Sequence, residues 1–265
     1  MNPIRSKSIR SGLLVRLPAA LAALAAFALA AAMGTAVFVA GSARAAPVAW
    51  GIARTVTSDT DVATNGALQY AEHWGGSNGT INGVAFTAAG VNVTKSDGSG
   101  ATQTVSWGQG SLSTTYYNLL RGNWYGAGNA TVSLNNLTSG HPYQVQMWSV
   151  DKRYETSQTE TYAGSPAVSP SIGTGQYAIG TFTASGTTQV IGVSGSGVIN
   201  AVVVRDLTPG AGNATNSLVV ASPAVVTADG SSTSTVTVTL KDSNGVRVPG
   251  KTISLAQASG PGTAV

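Results

Sequence analysis

The 265-residue chain contains no cysteine. That excludes a disulfide framework, thiolate nucleophiles and cysteine-based zinc sites. Histidine is nearly as scarce: His73 and His141 are the only two, and they stand in no metal-ligand spacing such as H-x-x-x-H. Charge is sparse, at 9% of residues, and unevenly spread. Five of the 14 Lys and Arg, and none of the 10 Asp and Glu, lie in residues 1–45. The rest of the chain carries nine basic against ten acidic groups, a formal net of −1. No basic patch remains to hold phosphates, so nucleic acid is excluded as a partner. Without covalent staples, about 220 residues must be held by buried area alone, which suffices for one or two domains.

Residues 1–45 read instead as an export signal. Arg5, Lys7, Arg10 and Arg16 form a basic n-region, and Leu17 to Ala40 is an uncharged, Ala-rich run. Ala43-Arg44-Ala45 then supplies the small-x-small pattern of a signal peptidase site, predicting cleavage after Ala45. The apolar run is long enough to span a bilayer, so an uncleaved anchor is the competing reading. Either way the chain is expected to be secreted or held at the cell surface. Membrane contact is expected only through this segment.

Beyond Ala45 the dominant period is two, the signature of strands. It runs through "TINGVAFT" (80–87), "ATVSLNNL" (130–137), "PYQVQMWSV" (142–150), "QYAIGTFTA" (176–184) and "VINAVVVRD" (198–206). Gly, Asn and Ser clusters punctuate these segments as an antiparallel sandwich requires. One helix is predicted in "SLSTTYYNLLRG" (111–122), with Ser113 as N-cap, Tyr116, Leu119 and Leu120 on one face, and Gly122 to end it. The Gly/Ala/Asn/Pro-rich stretch "DLTPGAGNATNS" (206–217) marks a linker. After it, Val236, Val238 and Leu240 alternate with Thr235, Thr237 and Thr239 as in a half-buried strand, followed by the turn residues "DSNG".

Residues 217–265, which open with "SLVVASPAVVTADGSSTSTVTVTLKDSNGVRVPGKTISL", resemble a bacterial Ig-like domain of the invasin/intimin type. The "ADG" turn before a Thr/Val strand, the "LKDSNGVRVPG" hairpin and the "KTISL" strand carry the resemblance. An Ig-like sandwich needs about 100 residues and seven strands. Only 49 residues are present up to Val265, so the chain is expected to be the N-terminal portion of a longer protein or a truncated reading frame. Alone, the half-domain should leave unpaired edges that favour disorder or aggregation. Residues 50–207, through "TSDTDVATNGALQYAEHWG", "LTSGHPYQVQMWSVD" and "GQYAIGTFTA", are similar to a repeated module of large exported bacterial proteins related to galactose-binding-like jelly rolls. The expected architecture is therefore all-β: a signal at 1–45, a jelly-roll-like β-sandwich at 46–207, a linker at 208–216, and an incomplete Ig-like β-sandwich at 217–265.

The most chemically varied stretch is "HPYQVQMWSVDKRYETSQTE" (141–160). Tyr143, Val145 and Met147 fall on the natural core face, with Trp148 and Val150 opposite. Asp151 has Lys152 and Arg153 beside it, which favours its ionised form, whereas an acid/base pair needs two carboxylates across a cleft with one desolvated. A solvated strand end is one reading. A glycan-binding rim built from Trp148, Arg153 and Tyr154, with Trp124 and Tyr125 as an exposed pair, is the other. Trp74, Trp107 and Trp124 equally suit plugs at the ends of a sandwich. "GGSNG" (75–79) matches G-x-S-x-G with Ser77 as nucleophile, but lacks the strand–turn–helix setting that motif needs. Asn78-Gly79 there is a favoured hairpin turn. Asp59 and Asp61 offer oxygen ligands for a structural calcium ion, the one cofactor considered, or else an Asx-turn. No catalytic set assembles. The expected function is that of an exported, non-enzymatic, structural or adhesive surface protein with a glycan or cell-surface partner. A carbohydrate-binding module is the alternative.

Overall fold

The computed structural model describes residues 46–96, 101–125, 129–227 and 229–254. The signal or anchor expected at 1–45 and the last eleven residues of the Ig-like segment lie outside the described residues. In chain order the strands are β1 (Ala49–Trp50), β2 (Arg54–Thr55), β3 (Ala67–His73), β4 (Gly79–Ile81), β5 (Val84–Ala88), β6 (Val93–Ser96), β7 (Ala101–Thr104), β8 (Gly122–Tyr125) and β9 (Asn129–Leu134). They continue as β10 (Pro142–Ser149), β11 (Glu160–Tyr162), β12 (Gln176–Thr183), β13 (Gln189–Gly195), β14 (Val198–Ile199), β15 (Ala201–Asp206), β16 (Gly212–Ser222) and β17 (Thr235–Asp242). A helix, α1 (Thr114–Leu120), separates β7 from β8. The protein is all-β in class, as its period-two segments predict.

The central sheet runs β1-β12-β10-β15-β3-β5-β4, with β2 also on β12. Its pairs are antiparallel except β3 with β5. A four-stranded sheet, β11-β13-β9-β6, packs over one face. Between them lies the first core: Tyr143, Val145, Met147, Val202 and Val204 from the central sheet, and Val132, Leu134, Ile191 and Val193 from the smaller one. This is a β-sandwich with interdigitating inner faces.

The other face of the central sheet is covered as well. Helix α1 and the β4–β5 hairpin bury Tyr116, Leu119, Leu120, Ile81, Val84 and Phe86 against Ala71, Trp148, Ala201 and Val203. The alternation in "PYQVQMWSV" is therefore real, but both of its faces are interior. Ser113 caps α1 by accepting from the Tyr116 backbone N–H at 3.1 Å, and the buried residues of the helix are the three expected.

Several sequence expectations need correction: "VINAVVVRD" is two strands broken at Asn200, and residues 251–254 of "KTISL" are not in a strand. "TINGVAFT" is not one strand. Asn82 (φ 49°) and Gly83 (φ 75°) both take the left-handed conformation, making the two-residue hairpin turn between β4 and β5 that only Asn-Gly-type pairs adopt readily. The Asn-Gly pair at 78–79 instead leads into β4. Gly122 does not end α1 as a left-handed cap; it opens β8. It is glycine because a Cβ there would lie 1.8 Å from the Gly76 backbone nitrogen. The stretch expected as linker at 208–216 is in strand from Gly212. There Ser217 Oγ bonds the Asn213 carbonyl at 2.7 Å, and Asn216 reaches the Asp242 and Ser243 carbonyls, so polar side chains lock a segment without apolar period into β16.

Strands β16 and β17 form a separate two-stranded ribbon. The "DSNG" turn is present: Asp242 Oδ1 accepts from the Asn244 and Val246 backbone N–H groups, and Gly245 takes a positive φ of 79°. The ribbon's turn touches the sandwich through the Gly66 N–H and the Asn244 carbonyl at 2.9 Å.

Candidate functional site

The aromatic residues expected at a ligand rim are distributed by packing. Trp148 is fully buried. Its indole N–H donates to the Tyr116 hydroxyl at 2.7 Å, and its ring meets Phe86 edge-on. Trp124 is fully buried too, tilted against Trp74 with the Lys95 ammonium 4.5 Å from its ring. Neither Trp is available for sugar stacking, which corrects the exposed-pair expectation. Tyr125, the next residue on β8, is 37% exposed, because successive strand side chains point to opposite faces. Trp74 and Trp124 are both members of the first core.

After β10 the chain enters the loop that carries Asp151, Arg153 and Tyr154. The Asp151 carboxylate is inaccessible. It accepts the Arg153 backbone N–H at 3.1 Å and both arms of the Arg153 guanidinium, at 2.9 and 2.6 Å. The Tyr154 N–H closes the turn onto the Asp151 carbonyl. The hydrogen bonds to Asp151 raise the Arg153 pKa above that of an ordinary guanidinium. Arg153 is thus committed to a charge-assisted fork within its own turn. Among the described residues no hydrogen bond, ring contact or ion pair joins Tyr125 to Arg153 or Tyr154. The expected rim does not assemble.

Asp59 and Asp61 lie in a single 3-10 turn. Asp61 Oδ2 accepts from the Ser58 backbone N–H at 2.9 Å and also from that of Thr57, while Oδ1 accepts the Thr57 hydroxyl at 3.1 Å. Its oxygens close the turn, as an Asx-type device does. No cluster of three or more candidate metal ligands occurs among the described residues. Asp61, one of the two expected calcium ligands, is thus engaged in closing its own turn. Ser77 is exposed at the head of a loop pressed under α1, its N–H on the Asn118 carbonyl. The nearby His73 bonds Asn78 Oδ1 through Nε2 at 2.9 Å rather than Ser77. His141 pairs with Asp206 at 2.7 Å. Burial works against the ionised Asp206, but hydrogen bonds from His141 and Thr208 hold its pKa below the usual carboxylate range.

Buried polar residues that were not singled out in the sequence turn out to organise the interior. Asn200 stands between β14 and β15. It accepts the Val150 N–H at 2.6 Å and donates to the Leu120, Gly122 and Val150 carbonyls, tying strand, helix end and β8 together. Glu72 accepts four hydrogen bonds from Gly90, Asn92 and Val93, fixing the turn into β6. Glu160 is buried, with Oε2 on the Val198 N–H and Oε1 without a partner. Desolvation pushes its pKa up to about 7, against the opposing hydrogen bonds from Val198 and Gly197. Strand parity offered one signal: Glu160 shares the inward face of β11 with Tyr162. An apolar groove of about 660 Å³ runs beside Val48, Ala163, Gly164, Val190 and Gly192 and carries no titratable side chain.

The family model described as "Invasin, domain 3" matches residues 213–265. That is about a fifth of the chain, covering the ribbon and the C-terminal residues beyond it. Over these residues the C-terminal segment is similar to that invasin domain. Comparison with curated proteins and with solved structures found no match. Among the described residues, no helix is long and apolar enough to cross a membrane.

Proposed function

We propose that this chain is an exported, non-enzymatic, adhesion-type surface protein in which the β-sandwich of residues 46–207 is displayed on invasin-like Ig-like structure beginning at residue 213. The single observation that carries this reading is the invasin match over residues 213–265. The ribbon agrees with it locally: the Thr/Val alternation of β17 and the "DSNG" turn fold as an antiparallel hairpin. The basic n-region, apolar run and Ala43-Arg44-Ala45 site supply the route out of the cytoplasm. Its partner is a glycan or protein on another cell surface.

The test is expression of the full chain in a bacterial host, followed by antibody labelling and protease shaving of intact cells. The sandwich should be labelled on unbroken cells and removed by protease, and bearing cells should adhere to a test surface above vector controls. Removal of residues 213–265 should abolish adhesion without blocking export. Protein confined to the cytoplasm, or surface protein that confers no adhesion, would overturn the proposal.

A further inference from the structure

Where the ribbon's turn meets the sandwich there is a shallow polar pocket of about 500 Å³, lined by Thr64, Arg205, Asn216, Lys241, Ser243, Asn244 and Gly245. We infer that this pocket is a binding site for a small oxyanion-bearing ligand, a carboxylate or phosphate group held by Arg205 and Lys241.

Arg205 is the key observation. It is 8% exposed, yet its partners are backbone carbonyls alone: Nε donates to those of Asn65 and Gly66, Nη2 to Gly66 at 2.7 Å, and Nη1 to Ala63 at 3.3 Å. These engage three of the five guanidinium N–H groups and leave one on each Nη. A buried cation is ordinarily matched by an anion, because partial dipoles offset only part of its lost hydration. Here burial lowers the Arg205 pKa, with no carboxylate acting against that shift. Lys241 adds a second positive charge to the lining.

No carboxylate lines the pocket. Asp242, the nearest acid in sequence, is turned inward onto the N–H groups of Gly210, Asn244 and Val246. The Gly210 bond foremost keeps its pKa below the ordinary range. Asp206, next to Arg205, is engaged with His141 and Thr208. The pocket's remaining rim is neutral and polar, and the wall is preformed. Gln146, fully buried beneath it, accepts the Ala63 N–H and donates to the Asp61 carbonyl, both at 2.8 Å. Together with Arg205 it pins the 61–66 segment to the sheet. A preformed site with two cations and no competing acid suits anion capture with little reorganisation. This inference stands independently of surface display.

Calorimetric titration of the full chain with inorganic phosphate, glucuronate and glucose tests it. Phosphate or glucuronate should bind, with affinity falling at least several-fold between low and physiological salt, while glucose gives no heat. Binding of glucuronate alone assigns an acidic sugar, phosphate alone a phosphorylated ligand, and both a general oxyanion site. Lys241→Glu should lose at least tenfold in affinity with an unchanged melting temperature, so the test survives even if Arg205→Gln fails to fold. Heat from neither anion, equal binding of glucose, or undiminished affinity in Lys241→Glu would each overturn the inference.

Discussion

Glu160 sits in an environment at odds with what its side chain prefers. Its carboxyl is buried, one oxygen is unpaired, and its pKa rises to about 7. A carboxyl whose folded pKa lies above its unfolded value binds a proton more tightly in the native state. Stability from this group is therefore greatest at low pH and declines as pH rises from the unfolded value near 4.5 through about 7, levelling off above. The full difference is on the order of 3 kcal/mol. Glu160→Gln keeps an acceptor for the Val198 N–H and removes the titration. The variant should melt close to wild type at pH 5 and several degrees above it at pH 8; melting curves that run parallel across that range would refute the account. Little of this was legible in the sequence, since "TETY" gives the parity of a strand and not the depth at which it lies. Trp124 and Trp148 failed for a related reason. Gly neighbours suggest exposure for Trp124, but it packs against Trp74 in the first core, while Trp148 lies on the other face of the central sheet, covered by α1 and the β4–β5 hairpin.

At the scale of elements, alternation located β10 and β12 to within a residue and β9 and β15 to within three, because a period of two reports strand geometry directly. It could not show how many faces are covered. The start and buried face of the helix were legible, from the Ser113 cap to Tyr116, Leu119 and Leu120. Its end was not, since Gly122 serves a tertiary contact rather than a local turn. A methyl at Gly122 would meet the Gly76 nitrogen at 1.8 Å and the Gly75 carbonyl carbon at 2.1 Å, backbone against backbone, with no flexible side chain to yield. Overpacking of this kind costs about 2–3 kcal/mol, or roughly 5–10 °C in a domain of this size. Gly108→Ala is the control, with open space around its new methyl. Thermal denaturation should separate Gly122→Ala from both wild type and Gly108→Ala, and coincident transitions for the two variants would show that the close approach carries no stability.

For the whole molecule the decisive contrast is between a sandwich buried on both faces of its central sheet and a ribbon whose strands, among the described residues, are mostly exposed. In the register of β16 with β17, Val219 faces Val238 and Ala221 faces Val236, giving one apolar side, while Leu218 and Val220 face Thr239 and Thr237. Val219 is 61% exposed, Leu218 57% and Val236 44%. A two-stranded ribbon is at best marginally stable by itself. Asp242, Asn216 and Ser217 tie its turn end together, the Gly66 N–H meets the Asn244 carbonyl there, and among the described residues its apolar side is exposed at Val219 and Val236. Exposed apolar strands with free edges pair with copies of themselves. The Thr/Val alternation was legible in the sequence; the register shows which side of the ribbon carries the apolar load. Val219→Lys combined with Val236→Lys replaces two exposed side chains, so it should change the sandwich's melting by no more than the roughly 0.5 kcal/mol typical of surface substitutions. In light scattering across a concentration series, the wild-type chain should grow in mean mass and the double variant should not. Equal growth in both would place the cause of association outside this ribbon.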